Sequence, residues 1–136
     1  MMPRAWFPAL LWALLILLIT LLPAQAVPGG GFFGRYQLDK VVHAILFGVF
    51  LVLLVRALNG KQQSGKEHTG RLVAAALLAI FYGALTEVLQ ELSGAGRSGD
   101  VWDLVADTAG VFIAAVWLLW GAVWAAYFRN RSERYF

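Results

Sequence analysis

The sequence predicts an all-α fold, a bundle of four transmembrane helices with both chain termini in the cytoplasm. Three observations carry that prediction. The 136 residues are 60% hydrophobic and only 14% charged, where a soluble domain is about half apolar and about a quarter charged; mean hydropathy is +0.69. Four apolar segments each approach the roughly 20 residues that a spanning helix needs. The basic residues between those segments are distributed unevenly, which sets an orientation.

Composition also excludes several classes. The chain has no cysteine, so disulfides, thiolate metal sites and cysteine nucleophiles are ruled out. The net charge of +3 is small, and nothing in its pattern suggests a nucleic-acid partner. The length suits one domain, residues 1–136.

The first segment, about residues 5–22, carries no charge. It is followed by Ala24-Gln25-Ala26, a small-x-small pattern like a signal-peptide cleavage site. Its 18 apolar residues exceed a signal core of about 7–15, so it is read as a retained helix. The second segment, about 41–58, has His43 near its start and Arg56 near its end. The third, about 72–92, is apolar until Thr86 and Glu87; the fourth is about 101–128. In lipid, a helix is the simplest way to pair every backbone group.

The connectors differ. Residues 23–38 are glycine-rich and read as a loop; residues 59–71, "NGKQQSGKEHTGR", read as polar and flexible. Residues 93–99, "SGAGRSG", make a tight turn, so the third and fourth helices are expected to be antiparallel neighbours. The tail "RNRSERYF" is basic.

Arg4, Arg56, Lys61, Lys66, Arg71, Arg129, Arg131 and Arg134 fall on one side of the segments; Arg35, Lys40 and Arg97 fall on the other. The richer side is cytoplasmic by the positive-inside rule. Of the eight acids, only Glu67 and Glu133 share that side. Asp39, Glu87, Glu91, Asp100, Asp103 and Asp107 gather at the opposite helix ends, with Arg35, Lys40, His43, Gln90 and Arg97.

Helical spacing aligns them. Asp39 and His43 are four apart; Glu87, Gln90 and Glu91 fall at steps of three and four; Asp100, Asp103 and Asp107 fall at three and seven. Three helices thus each present a polar stripe at one depth. Small residues such as Gly48, Gly83, Ala84, Ala109 and Gly110 permit close packing. Asp39, Asp100 and Asp103 sit near first turns, where the helix dipole favours an acid; Glu87 and Glu91 sit near a last turn, where it does not. Asp107 lies deepest and must be protonated, paired or hydrated.

These motifs resemble the VanZ-like family of bacterial integral membrane proteins. "DKVVH" at 39–43, "TEVLQ" at 86–90 and "GR…D…DTAG" over 96–110 follow that family's order and spacing, and "LLP" at 21–23 closes the first helix as the family does. The resemblance covers roughly residues 10–121. It implies that Asp39, Lys40, His43, Glu87, Gln90, Arg97 and Asp103 occupy motif positions. Asp107 stands where the family pattern usually has Asn. The resemblance implies a multi-pass protein of the bacterial cytoplasmic (inner) membrane, linked through the family name to glycopeptide antibiotic resistance in the cell envelope.

Three function classes follow. The leading one is a cell-envelope protein whose outward-facing site binds a polar or anionic headgroup, lipid-linked or cell-wall related. Its ligand-binding candidates are Arg35, Asp39, Lys40, His43, Glu87, Gln90, Glu91, Arg97, Asp103 and Asp107. The alternative is a membrane hydrolase or transferase acting on a lipid headgroup, with His43, Glu87 and Asp103 as catalytic candidates. The same three residues are candidate ligands for a divalent metal cofactor, although their spacing matches no dedicated metal motif. A proton- or ion-coupled transporter is third, and the inner halves of the segments lack a polar path for it. The bland account is a helix clamp, but about ten polar groups exceed what a clamp requires. Membrane lipids are the expected partners, and a homo-oligomer stays open. Among the six tryptophans, Trp102 beside Asp103 is the one placed to cover a pocket.

Overall fold

A computed structural model describes residues 4–22, 38–58, 65–93 and 100–132, and these form four helices with no strand among them. They are α1 (Trp6–Thr20), α2 (Leu38–Leu58), α3 (Gly65–Ser93) and α4 (Val101–Ser132). Three are long and apolar enough to cross a bilayer, over Leu38–Leu58, His68–Ser93 and Val101–Tyr127. The fourth, α1, is apolar but shorter, with 15 residues, about 22 Å at 1.5 Å per residue. It ends just before Pro23, which has no amide hydrogen to continue the ladder and disfavours helix in the residue before it.

Helices α2, α3 and α4 overrun the bounds that hydropathy predicts, whereas α1 falls short of them. The second begins at Leu38 and takes Asp39 into its first turn, where the dipole favours an acid. The third begins at Gly65, so part of the expected flexible 59–71 loop is helical. The fourth runs to Ser132 and takes up the start of the basic tail. Hydropathy measures the length that faces lipid; backbone hydrogen bonding continues into polar turns on either side.

The central helix is α2, which packs against α4, α3 and α1. Its buried face carries His43, Leu46, Phe47, Phe50, Leu51, Leu54 and Val55. Phe50 packs against Tyr82 with ring centroids 5.3 Å apart and planes tilted by 55°, and Phe47 meets Phe50 edge-on at 6.3 Å. Apolar residues on the other faces are exposed, as lipid-facing helices require.

Side chains tie α1 to the bundle through spare lone pairs on helix carbonyls. Trp12 Nε1–H donates to the Leu46 carbonyl at 2.9 Å, and the Tyr82 hydroxyl donates to the Ala13 carbonyl at 2.7 Å. Each such bond in a membrane averages about 0.6 kcal/mol.

Helices α2 and α4 touch through backbone. A Cβ on Gly110 would overlap the Ala44 carbonyl and lie 2.6 Å from Ala44 C and 2.7 Å from its Cα. A Cβ on Gly48 would lie 3.2 Å from the Gly110 carbonyl oxygen. The overlap at Gly110 is with backbone, which no rotamer change relieves. Gly110→Ala is therefore expected to lower stability by about 1–3 kcal/mol or more, the cost of overpacking. Gly121→Ala meets no heavy atom within 4 Å and is expected to be neutral or stabilising by up to about 1 kcal/mol. Thermal unfolding of both variants in detergent, read by circular dichroism, checks the contrast.

Candidate functional site

Helices α2 and α4 begin, and α3 ends, at one end of the bundle. Neighbours α2 and α4 are therefore parallel, and their polar residues pair in step. Lys40 reaches the start of α4, with Nζ 3.0 Å from Asp100 Oδ2 and 2.8 Å from Asp103 Oδ1. It also lies 3.6 Å from Asp39 Oδ2. Three residues further along, His43 Nδ1 lies 2.9 Å from Asp107 Oδ1, and His43 Nε2 lies 3.8 Å from Asp103 Oδ2.

Asp100 builds the entry to α4. Its Oδ1 accepts the Trp102 N–H at 2.9 Å, and its carbonyl accepts the Asp103 N–H at 2.9 Å. Its own N–H donates to Glu87 Oε2 on α3 at 2.8 Å. Glu87 thus pins the start of the next helix. The Trp102 N–H, then Lys40, hold the Asp100 carboxyl below its ordinary pKa. Both contacts favour the ionised acid.

Burial increases with depth. Asp100 is half-exposed at the rim, Asp103 is 5% exposed and Asp107 is 0% exposed. Carboxylates so placed need partners. Asp107 has its partner in His43, which answers how the deepest acid is accommodated: it is paired. The pairing goes across to α4 and not to Asp39, the residue four positions earlier on His43's own helix. One oxygen on each of Asp39, Glu87 and Asp107 has no hydrogen-bond partner. The free oxygen of Asp107 faces Gly83, where an added Cβ would sit 2.9 Å away. Gly83 therefore leaves the space that this carboxylate fills.

Lys40, His43, Glu87, Asp103 and Asp107 come together as the polar stripes predict. Asp39 stands at the edge, its side chain 38% exposed. Gln90 is buried but turns elsewhere, donating through Nε2 to the Thr20 carbonyl at 2.6 Å, where it closes the end of α1. Glu91 is exposed. Arg35 and Arg97 lie outside the described residues. Trp102 is 66% exposed and covers nothing among them. Sequence reasoning puts Asp100 on the polar stripe of the fourth helix and near its favourable dipole end but not among the binding candidates; the structure shows that it shares Lys40 with Asp103.

The described site is acidic. Five carboxylates, on Asp39, Glu87, Asp100, Asp103 and Asp107, surround one lysine and one histidine. One ligand atom each from His43, Glu87 and Asp103 lie within 4.8 Å of one another. Asp107 holds the histidine ring as a general base or a metal ligand is held.

A family model described as VanZ/LLP1 matches residues 5–124. No curated protein and no solved structure matches the chain.

Breaking a buried pair by removing one partner costs about 3–5 kcal/mol, because the other charge stays behind. His43→Leu is therefore expected to destabilise by that amount. His43→Leu/Asp107→Leu should recover most of the loss, since Asp107 is no longer left buried without its partner. A double-mutant cycle on the purified protein measures the coupling, and additive losses would contradict the pairing.

Proposed function

The chain belongs to the VanZ/LLP1 family, and we propose that it holds the polar headgroup of a membrane lipid at an outward-facing site in the bacterial inner membrane. The orientation rests on the basic residues, which favour a cytoplasmic location for both termini and for the 59–64 connector. The polar end of the bundle then faces outward.

The observation that carries this reading is an apolar groove of about 780 Å³ between α2 and α4. Small residues form it, among them Ala44, Gly48, Ala106, Gly110 and Ala114, and Trp117 lines its deep end. Among the described residues, Lys40 is the one charged residue lining it. From Lys40 to Val52 the groove follows α2 for roughly 18 Å at 1.5 Å per residue. Half of a hydrocarbon core is about 15 Å. The groove therefore matches one acyl chain of one leaflet, with its head at Lys40. There a phosphate meets the ammonium, and amine or hydroxyl groups meet Asp100 and Asp103.

The family's link to glycopeptide resistance makes lipid-linked cell-wall intermediates the headgroup class to test first. A second reading, a hydrolase or transferase acting on the headgroup, is favoured by the 2.9 Å contact between His43 and Asp107, which orients the ring as a general base is oriented.

Native mass spectrometry of gently extracted protein checks the binding. Wild type is expected to retain a lipid, and Ala106→Phe, which fills the groove, to lose at least about 90% of it while staying folded. Equal retention in both would sink the proposal. For the orientation, reporter tags at each terminus should both read as cytoplasmic.

A further inference from the structure

We infer that His43, Glu87 and Asp103 form a binding site for a divalent transition-metal ion, with Asp107 as the carboxylate that orients the histidine. The inference begins with the imidazole. With Asp107 ionised and the ring neutral, the carboxylate only accepts, so the ring presents Nδ1–H to Asp107 Oδ1 at 2.9 Å. Nε2 is then left with its lone pair. It lies 3.8 Å from Asp103 Oδ2, beyond hydrogen-bond range. Two electron-rich atoms facing each other across that gap attract a cation between them.

Glu87 supplies the third donor. One of its oxygens is used by the Asp100 N–H, and the other, Oε1, has no partner although the residue is 9% exposed. Asp103 divides its oxygens in the same way, giving Oδ1 to Lys40 at 2.8 Å and leaving Oδ2 to the shared space. Each of the three residues thus has one atom committed to holding it in place and one atom available. One ligand atom from each of His43, Glu87 and Asp103 lies within 4.8 Å of the others. Donors about 2.1 Å from a common ion at tetrahedral angles lie about 3.4 Å apart, so seating it needs a closure of about 0.4 Å between His43 and Asp103 and of up to about 1.4 Å toward Glu87.

Charge points the same way. With a neutral imidazole, the carboxylates of Asp39, Glu87, Asp100, Asp103 and Asp107 against Lys40 leave an excess of negative charge, which a divalent ion reduces. One nitrogen and two carboxylate oxygens suit zinc or manganese and leave a coordination position open. The hydrogen bond from the ligating histidine to Asp107 is the outer contact such sites regularly have. The ion would also give an acidic site the means to accept a phosphate. In that respect the inference extends the headgroup reading, but it is tested without lipid.

Delipidated full-length protein, stripped with chelator, is titrated with Zn²⁺ or Mn²⁺, and bound metal is counted by elemental analysis. One equivalent per chain is expected for wild type. His43→Gln or Glu87→Gln should weaken binding at least about 100-fold. Asp107→Asn should weaken it about 10–100-fold with the stoichiometry kept, and Glu91→Gln should leave it unchanged. If the ligand variants do not fold, Co²⁺ loaded into wild type decides. Intense visible bands of a low-coordinate site support the inference, and the weak spectrum of the hydrated ion overturns it. Absence of a stoichiometric ion in folded wild type, or unchanged affinity in folded His43→Gln, also overturns it. Metal-free protein that still retains lipid would remove the metal and leave the headgroup reading standing.

Discussion

The polar end of this protein depends on how closely α2 and α4 approach at Gly110 and Ala44. A methyl group at Gly110 has no room against the Ala44 backbone. That contact puts two parallel helices in register, so that Lys40 and His43 on one meet Asp100, Asp103 and Asp107 on the other. The hydrogen bonds between them run over sequence separations of 60, 63 and 64 residues. A wider crossing would part all of them at once. The same small residues that allow the approach also leave the groove open on the lipid side.

Burial then ranks the acids by chemistry. Near the rim, Asp100 and Asp39 keep access to water and act through the helix dipole and Lys40. Inside, Asp103 and Asp107 have only protein groups to satisfy them, and the coordination of each is divided between two oxygens in different surroundings. Glu87 repeats the pattern from α3, with one oxygen on the Asp100 N–H and one without a partner. A purely structural clamp would use both oxygens. Acids held by one oxygen, with the other oriented and unspent, suit a site that receives something.

Much of this was legible in the sequence, and the reason is periodicity. Lipid requires apolar runs, so the helices could be read from hydropathy, and the steps of three and four placed Asp103 and Asp107 on one face. Which residues would touch was less legible. His43 was matched with Asp39 as a helical neighbour, but the bond to Asp107 depends on the parallel packing of α2 and α4, which no local pattern encodes. Gln90 shares a helical face with Glu87, yet it turns to the end of α1, because an unpaired carbonyl at Thr20 lies within reach. The helix ends were also misjudged, since charge ends a hydropathic run without ending a hydrogen-bonded one.

The wide sequence separation across the site bears on how the protein is made. At roughly 5–20 residues per second, some 3–12 s of synthesis separate Lys40 from Asp100. For that interval α2 has no partner for its buried histidine, and the site does not exist. Assembly is therefore complete only when the last helix is in the membrane. A chain arrested or truncated before α4 would display His43 without Asp107 and Lys40 without Asp100 and Asp103, a mark that distinguishes an unfinished molecule from a finished one.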